Sequence, residues 1–165
     1  MDAAPFLIEI GRALHVAALD AVLIGNAAAA LQGAPVTTVG LDFLSRKTPR
    51  NIGKIKSLAK ALGAVVMRPY YPVSDLFRVV RDADGPQLDF MATIHGVRSF
   101  DGVRDRGSDI QVDGVTIRVA SLDDIIRSKR AAARPRDLAV LDTLERAREE
   151  APVTKCTPRR RPGRK

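Results

Sequence analysis

Asp42 and Asp89 each interrupt an apolar run, in Leu41-Asp42-Phe43 and Leu88-Asp89-Phe90. A charged group inside a sheet strand is costly unless it is solvated, paired or bound to a cation. Two readings are open. Two such carboxylates on neighbouring strands could hold Mg²⁺, which prefers oxygen ligands and commonly shares them with substrate phosphates. Alternatively, each forms an ordinary ion pair with an arginine such as Arg78 or Arg98. Upstream, Leu23-Ile24-Gly25-Asn26-Ala27 runs from a strand into a glycine that opens a helix. Backbone N–H groups at such a turn can meet an anion, although most strand-to-helix turns need a glycine for geometry alone. Position 40 shares the strand face of Asp42, roughly 6–7 Å away along the chain. It is glycine and supplies no ligand atom where a metal-dependent phosphoryl-transfer site would want a second carboxylate. Whether the chain is an enzyme turns on Gly40.

These residues need a sheet to position them, and the pattern supplies one. After a helix near 5–18, Ala21-Val22-Leu23-Ile24 reads as a buried strand and 27–31 as a short small-residue helix stopping at Gly33 and Pro35. Residues 38–45 alternate, with Val39, Leu41 and Phe43 on one face and Gly40, Asp42 and Leu44 on the other. Thr48-Pro49 opens a helix that keeps its apolar spacing to Gly63, with Lys54, Lys56 and Lys60 on a solvated face. Strands are expected at 64–68, 76–82 and 87–93, the last two joined at Asp84-Gly85-Pro86. A second hairpin spans 109–119 around Asp113-Gly114. Ser121-Leu122-Asp123-Asp124 reads as a capping box for a helix to about Ala132, and a last helix runs from Pro135 to about Glu150 with Leu138, Leu141, Leu144 and Ala147 near one face. The sum is an α/β fold, a mixed β-sheet with packed helices and no internal repeat.

The 165 residues suffice for one domain, expected over 1–150, and carry a formal charge of +8. Six of those charges come from 151–165, where Lys155, Arg159, Arg160, Arg161, Arg164 and Lys165 stand without an acid, so the body is nearly balanced. With Pro152, Pro158, Pro162 and Gly163 and little that is apolar, this tail reads as disordered. It is either a solubilising end or an attraction for nucleic acid through Arg159, Arg160, Arg161, Arg164 and Lys165. The single cysteine, Cys156, excludes an intramolecular disulfide and a thiolate cluster, and points to a reducing compartment. The apolar stretch 13–31 is broken by His15, Asp20, Gly25 and Asn26, so no membrane span is expected; the short apolar patch near the N-terminus with no basic flank argues against a signal peptide, and a cytoplasmic protein is the expectation. His15 and His95 lack partners at metal-ligand spacing, and Arg98-Ser99 reads as a solvated loop or a nucleic-acid contact.

A strand into Gly25-Asn26, a short helix, a strand carrying Thr38, Gly40 and Asp42, and a later Asp89 strand together resemble the nucleotidyltransferase superfamily, the polymerase-β-like fold. More narrowly, the chain looks like the minimal nucleotidyltransferases that include the toxin of AbiE-type abortive-infection and toxin–antitoxin systems. The resemblance covers roughly 20–145 and extends to Lys129 and Arg134-Pro135-Arg136-Asp137-Leu138, similar to that family's Lys…Arg-x-x-Asp segment. It implies Mg²⁺-dependent transfer of an NMP from an NTP to an acceptor hydroxyl, such as a tRNA 3′ end, and an antitoxin protein as partner. It implies Asp42 and Asp89 as metal ligands, with Asp89 helping to activate the acceptor. Gly25, Asn26, Thr38, Lys129, Arg134 and Arg136 are implied at the nucleotide, and Asp137 as a catalytic residue that orients Lys129 or an arginine. Asn26 departs from the usual Gly or Ser, and Gly40 from the usual aspartate. Loss of one such electrostatic partner costs on the order of 10²–10³ in rate. The alternative is a catalytically inactive member that binds RNA or protein. Lys129 and Asp137 also have a simpler explanation, since each sits where the helix dipole favours its charge.

Overall fold

In the computed structural model, which describes residues 4–67, 76–81 and 87–151, the apolar rows predicted from the sequence line up across one sheet. Helix α1 (Ala4–Val16) is followed by β1 (Ala21–Ile24), α2 (Gly25–Leu31), β2 (Gly40–Ser45), α3 (Pro49–Ala61), β3 (Val65–Met67), β4 (Leu76–Val80) and β5 (Gln87–Met91). Then come α4 (Phe100–Arg106), β6 (Ser108–Val112), β7 (Val115–Val119), α5 (Leu122–Ala132), α6 (Pro135–Leu138) and α7 (Leu141–Glu150). The strands form a seven-stranded mixed sheet in the order β3-β4-β5-β2-β1-β7-β6. β2 runs parallel to β5 and β1 parallel to β7, while the other pairs are antiparallel.

Register places Val119, Leu23, Phe43, Phe90 and Phe77 side by side across five strands. All five are buried, and the rings of Phe43 and Phe90 stack with centroids 5.7 Å apart. Burying each large apolar side chain contributes roughly 1.5–3 kcal/mol, so this row fixes which face of the sheet is core. On that side Phe6 of α1 and Leu62 at the end of α3 meet Val79 and Leu88. Because successive side chains alternate faces, the neighbouring row, Ile24, Asp42, Asp89 and Arg78, lies on the opposite side.

Local signals account for most boundaries. Thr48 caps α3 by accepting from the Asn51 N–H, with proline in the first position. Asp113 and Gly114 both have positive φ, as a two-residue type I′ turn between β6 and β7 requires. β4 and β5 pair antiparallel as expected, while the turn residues Asp84-Gly85-Pro86 and the basic tail with Arg159, Arg160, Arg161, Arg164 and Lys165 lie outside the described residues. Two expectations are corrected and one element is added. Val39 precedes the strand and is 92% exposed rather than sharing the face of Leu41. The last helix is two, α6 and α7, separated at Ala139 and Val140, and Leu138 is exposed instead of joining Leu144 and Ala147 in the core. Helix α4, capped by Ser99 and burying Phe100 and Val103, stands where the sequence reading placed no element. No helix among the described residues is long and apolar enough to cross a membrane.

The capping box at α5 is half realised. Ser121 accepts from the Asp124 N–H, but the Asp124 carboxylate turns away to Arg106, which donates Nε to it at 2.9 Å and a terminal nitrogen also at 2.9 Å, with Arg127 at 3.4 Å. Asp124 is 1% exposed, so this pair ties the end of α4 to the start of α5. Removing one partner of a buried pair strands the other, at a cost of several kcal/mol. Arg106→Met is expected to destabilise the fold by about 3 kcal/mol, part of the loss being offset by Arg127. The check is urea denaturation followed by circular dichroism; a change below about 1 kcal/mol at unchanged slope would show that the pair does not hold α5.

Candidate functional site

The carboxyl end of β1 runs straight into α2. Gly25 follows directly on Ile24 with φ +68, a left-handed conformation that a side chain makes costly. A Cβ at Gly25 would lie 3.1 Å from Asp42 Oδ2, so the absence of a side chain is what lets Asp42 reach over the turn. Asn26 donates its amide to the Thr37 carbonyl at 2.9 Å, tying the loop before β2 to the turn. Its Oδ1 is buried with no hydrogen-bond partner among the described residues, which costs about 1–3 kcal/mol unless a donor is brought to it. Thr38 uses its hydroxyl locally, donating to the Gly40 carbonyl at 2.5 Å.

Asp42 stands in register with Asp89 on the adjacent parallel strand, and Asp89 in turn faces Arg78 of β4. Arg78 donates Nε to Asp89 Oδ1 at 2.8 Å and a terminal nitrogen to Oδ2 at 2.9 Å, a two-pronged pair around a carboxylate that is otherwise buried. Hydrogen bonding to Asp89 raises the Arg78 pKa further. Of the two readings left open by the sequence, the ion pair with Arg78 is therefore the one formed at Asp89; Arg98 has no part in it. Asp42 has no such partner among the described residues. Burial pushes its pKa up, Asp89 adds to the rise, and Lys129, Arg136 and Arg78 oppose it. Lys129 reaches Asp137 at 3.1 Å, both side chains largely buried, and Arg134 lies 3.6 Å from the same carboxylate. Asp137 is thus paired with both Lys129 and Arg134. Asp20, at the opposite end of β1, is held by Arg46 and Arg104 and takes no part.

The fold raises the question of a divalent ion, and the residues present do not form a centre for one. Gly40 offers no oxygen, both oxygens of Asp89 are bonded to Arg78, and no three His, Cys, Asp or Glu side chains converge among the described residues. A doubly charged ion about 5 Å from a guanidinium would be opposed by roughly 7 kcal/mol at an effective dielectric near 20. Arg78 was one of two arginines that the sequence offered as an ion-pair partner for the aspartates, and it is the one that forms the pair. Its signal was a cation in an otherwise apolar strand, Leu76-Phe77-Arg78-Val79-Val80, of the same kind that singled out the two aspartates.

The raised pKa of Asp42 has a consequence for stability. The folded state holds that proton more tightly than the unfolded chain, so stability falls as pH rises from 3.8, the ordinary value, through the raised folded value, and stays reduced above it. Asp42→Asn removes this penalty. Its thermal midpoint is expected to exceed that of the wild type near pH 7, with the gap closing toward pH 4; a constant gap, or a lower midpoint for the variant, would refute the account.

No family model and no curated protein matches the chain. Solved structures do. The antibiotic-resistance factor ANT(2'')-Ia superposes with a TM-score of 0.61 at 15% identity, over 90% of this chain and 91% of that one. A putative nucleotidyltransferase from Thermotoga maritima gives 0.59 at 19% identity, over 88% and 92%. The lincosamide antibiotic adenylyltransferase LnuA gives 0.61 at 11% identity, over 88% and 96%. This protein has a nucleotidyltransferase-like α/β fold.

Proposed function

We propose that the chain binds a nucleoside triphosphate over the Gly25 turn and serves transfer of its NMP to an acceptor hydroxyl, with activity weakened at position 40. The observation that carries this reading is Asp42, set in register beside Asp89, 3.1 Å from the place of a Gly25 side chain, and acted on by Lys129 and Arg136. In the proposed reaction the acceptor oxygen attacks the α-phosphorus, the bond to the bridging oxygen breaks and pyrophosphate leaves. Lys129, Arg134 and Arg136 balance the phosphate charge. Asp42, whose raised pKa suits a proton acceptor, takes the hydroxyl proton, a role that Asp89 cannot fill with both oxygens bonded to Arg78. No step is routed through a metal.

The acceptor is proposed to be RNA, with the tRNA 3′ end as the site that the AbiE-type resemblance implies, and the context a cytoplasmic toxin with an antitoxin partner. The tail residues Arg159, Arg160, Arg161, Arg164 and Lys165 would grip the RNA by phosphate neutralisation, beside the domain proposed over 1–150. A second reading, a scaffold that binds nucleotide or RNA without transfer, is favoured by one observation: the Arg78 pair occupies the carboxylate that transfer would want free.

Gly40 separates the two readings, though not by simple reversion. A Cβ at position 40 would lie 2.8 Å from the Gln87 carbonyl oxygen and 3.3 Å from the Gln87 Cβ, so β2 and β5 must part to admit one. Gly40→Ala is therefore expected to cost about 1–3 kcal/mol and serves as the control. Gly40→Asp pays the same strain and sets a second carboxylate beside Asp42; assayed with Mg²⁺, which that new pair could hold, it is expected to transfer label from [α-³²P]NTP to total RNA about 10²–10³ times faster than Gly40→Ala, per folded molecule. Tobramycin and lincomycin are included as small acceptors, since two neighbours are described with such antibiotics. No transfer by wild type or Gly40→Asp to any acceptor would remove the transfer reading and leave the binding one.

A further inference from the structure

Arg78 reaches Asp89 from the strand beyond it, bonding both carboxylate oxygens at 2.8 and 2.9 Å, in the same row of the sheet as Asp42. Around this row stand four cations, Arg78, Lys129, Arg134 and Arg136, against three carboxylates, Asp42, Asp89 and Asp137. The cluster is thus positive by one charge before any ion is added. Lys129 and Asp137 are nearly buried and already locked together, so the positive groups need little reorganisation to face an anion. A divalent ion beside Asp89 would have to displace a two-pronged guanidinium and then sit next to it.

We propose that Arg78 is the resident cation of this site, standing where a divalent ion would otherwise balance the carboxylates, and that the phosphates of a nucleotide bind without Mg²⁺. The inference rests on the nucleotide reading above and goes beyond it in naming what recognises the phosphates. An Arg in this place is always charged and cannot be removed by a chelator. The site then holds an anion of fixed charge, and affinity depends on ionic strength rather than on divalent concentration.

The test is calorimetric titration of the full chain with ATP, GTP, CTP and UTP, once with EDTA and once with excess Mg²⁺. Affinities that agree within about threefold for a nucleotide that binds support the proposal, and a larger gain with Mg²⁺ overturns it while leaving the nucleotide reading intact. Binding in neither condition overturns both. A second measurement needs no nucleotide: Mn²⁺ titrated alone and followed by electron paramagnetic resonance. Wild type is expected to leave Mn²⁺ free at millimolar concentration, and Arg78→Met, which releases both oxygens of Asp89 beside Asp42, to bind it at least about tenfold more tightly. Mn²⁺ bound by the wild type as tightly as by Arg78→Met would overturn the proposal. Should Arg78→Met fail to fold, the EDTA comparison on the wild type decides alone.

Discussion

The register between β2 and β5 is the constraint on which the site depends. Phe43 lies beside Phe90, and that pairing commits Leu23, Val119 and Phe77 to the same buried row. A slip of one residue would turn every side chain of a strand to the opposite face, burying Asp42 in the apolar layer and exposing Phe43. The chemistry-bearing row is thus positioned by the cost of misplacing its apolar neighbours, not by attraction among its own members. Two like charges placed side by side oppose each other, and the core row overrides that repulsion.

Arg78 resolves the conflict that the register creates. Asp89 is buried and adjacent to Asp42, and an unpaired buried carboxylate costs several kcal/mol. A guanidinium matches both carboxylate oxygens at once, which a lysine could not. Such a pair is weak evidence for net stability, because its desolvation cancels much of its attraction. Its effect is on specificity: β4 must pair with β5 so that Arg78 faces Asp89, since any shift would leave the buried Asp89 carboxylate without its partner. The same contact that ties β4 to β5 takes one carboxylate out of chemical use.

Much of this was legible in the sequence, because it rested on short-range patterns. The Gly25 turn, the capped start of α3, the Asp113-Gly114 hairpin and the opposed aspartates all follow from local residue types, and their structures follow suit. What escaped depended on distant partners. Helix α4 has only seven residues with a glycine inside, too short a window for periodicity to show, although Ser99 followed by Phe100 and Val103 carried a faint signal. Asp124 looked like half of a capping box because the arginine that claims it lies 18 residues upstream. Leu138 fitted a helical stripe that ends when the chain turns at Ala139 and Val140.

Gly40 joins these threads. Read as a sequence position, it is a missing ligand; in the sheet, it is also where the start of β2 meets Gln87 so closely that a Cβ would fall 2.8 Å from a carbonyl oxygen. The two properties are coupled. Glycine lets the parallel strands approach at this end, and their approach sets Asp42 beside Asp89 at the register that Arg78 then completes. An aspartate at position 40 would restore a carboxylate while loosening the ladder that aligns the other two, so a second carboxylate and the present close pairing are alternatives for this sheet. The chain has the second arrangement, with an arginine where the first would have called for an ion. That substitution is internally consistent: removing one negative charge at position 40 and balancing another with Arg78 leaves Asp42 as the one carboxylate of the row still open to a substrate.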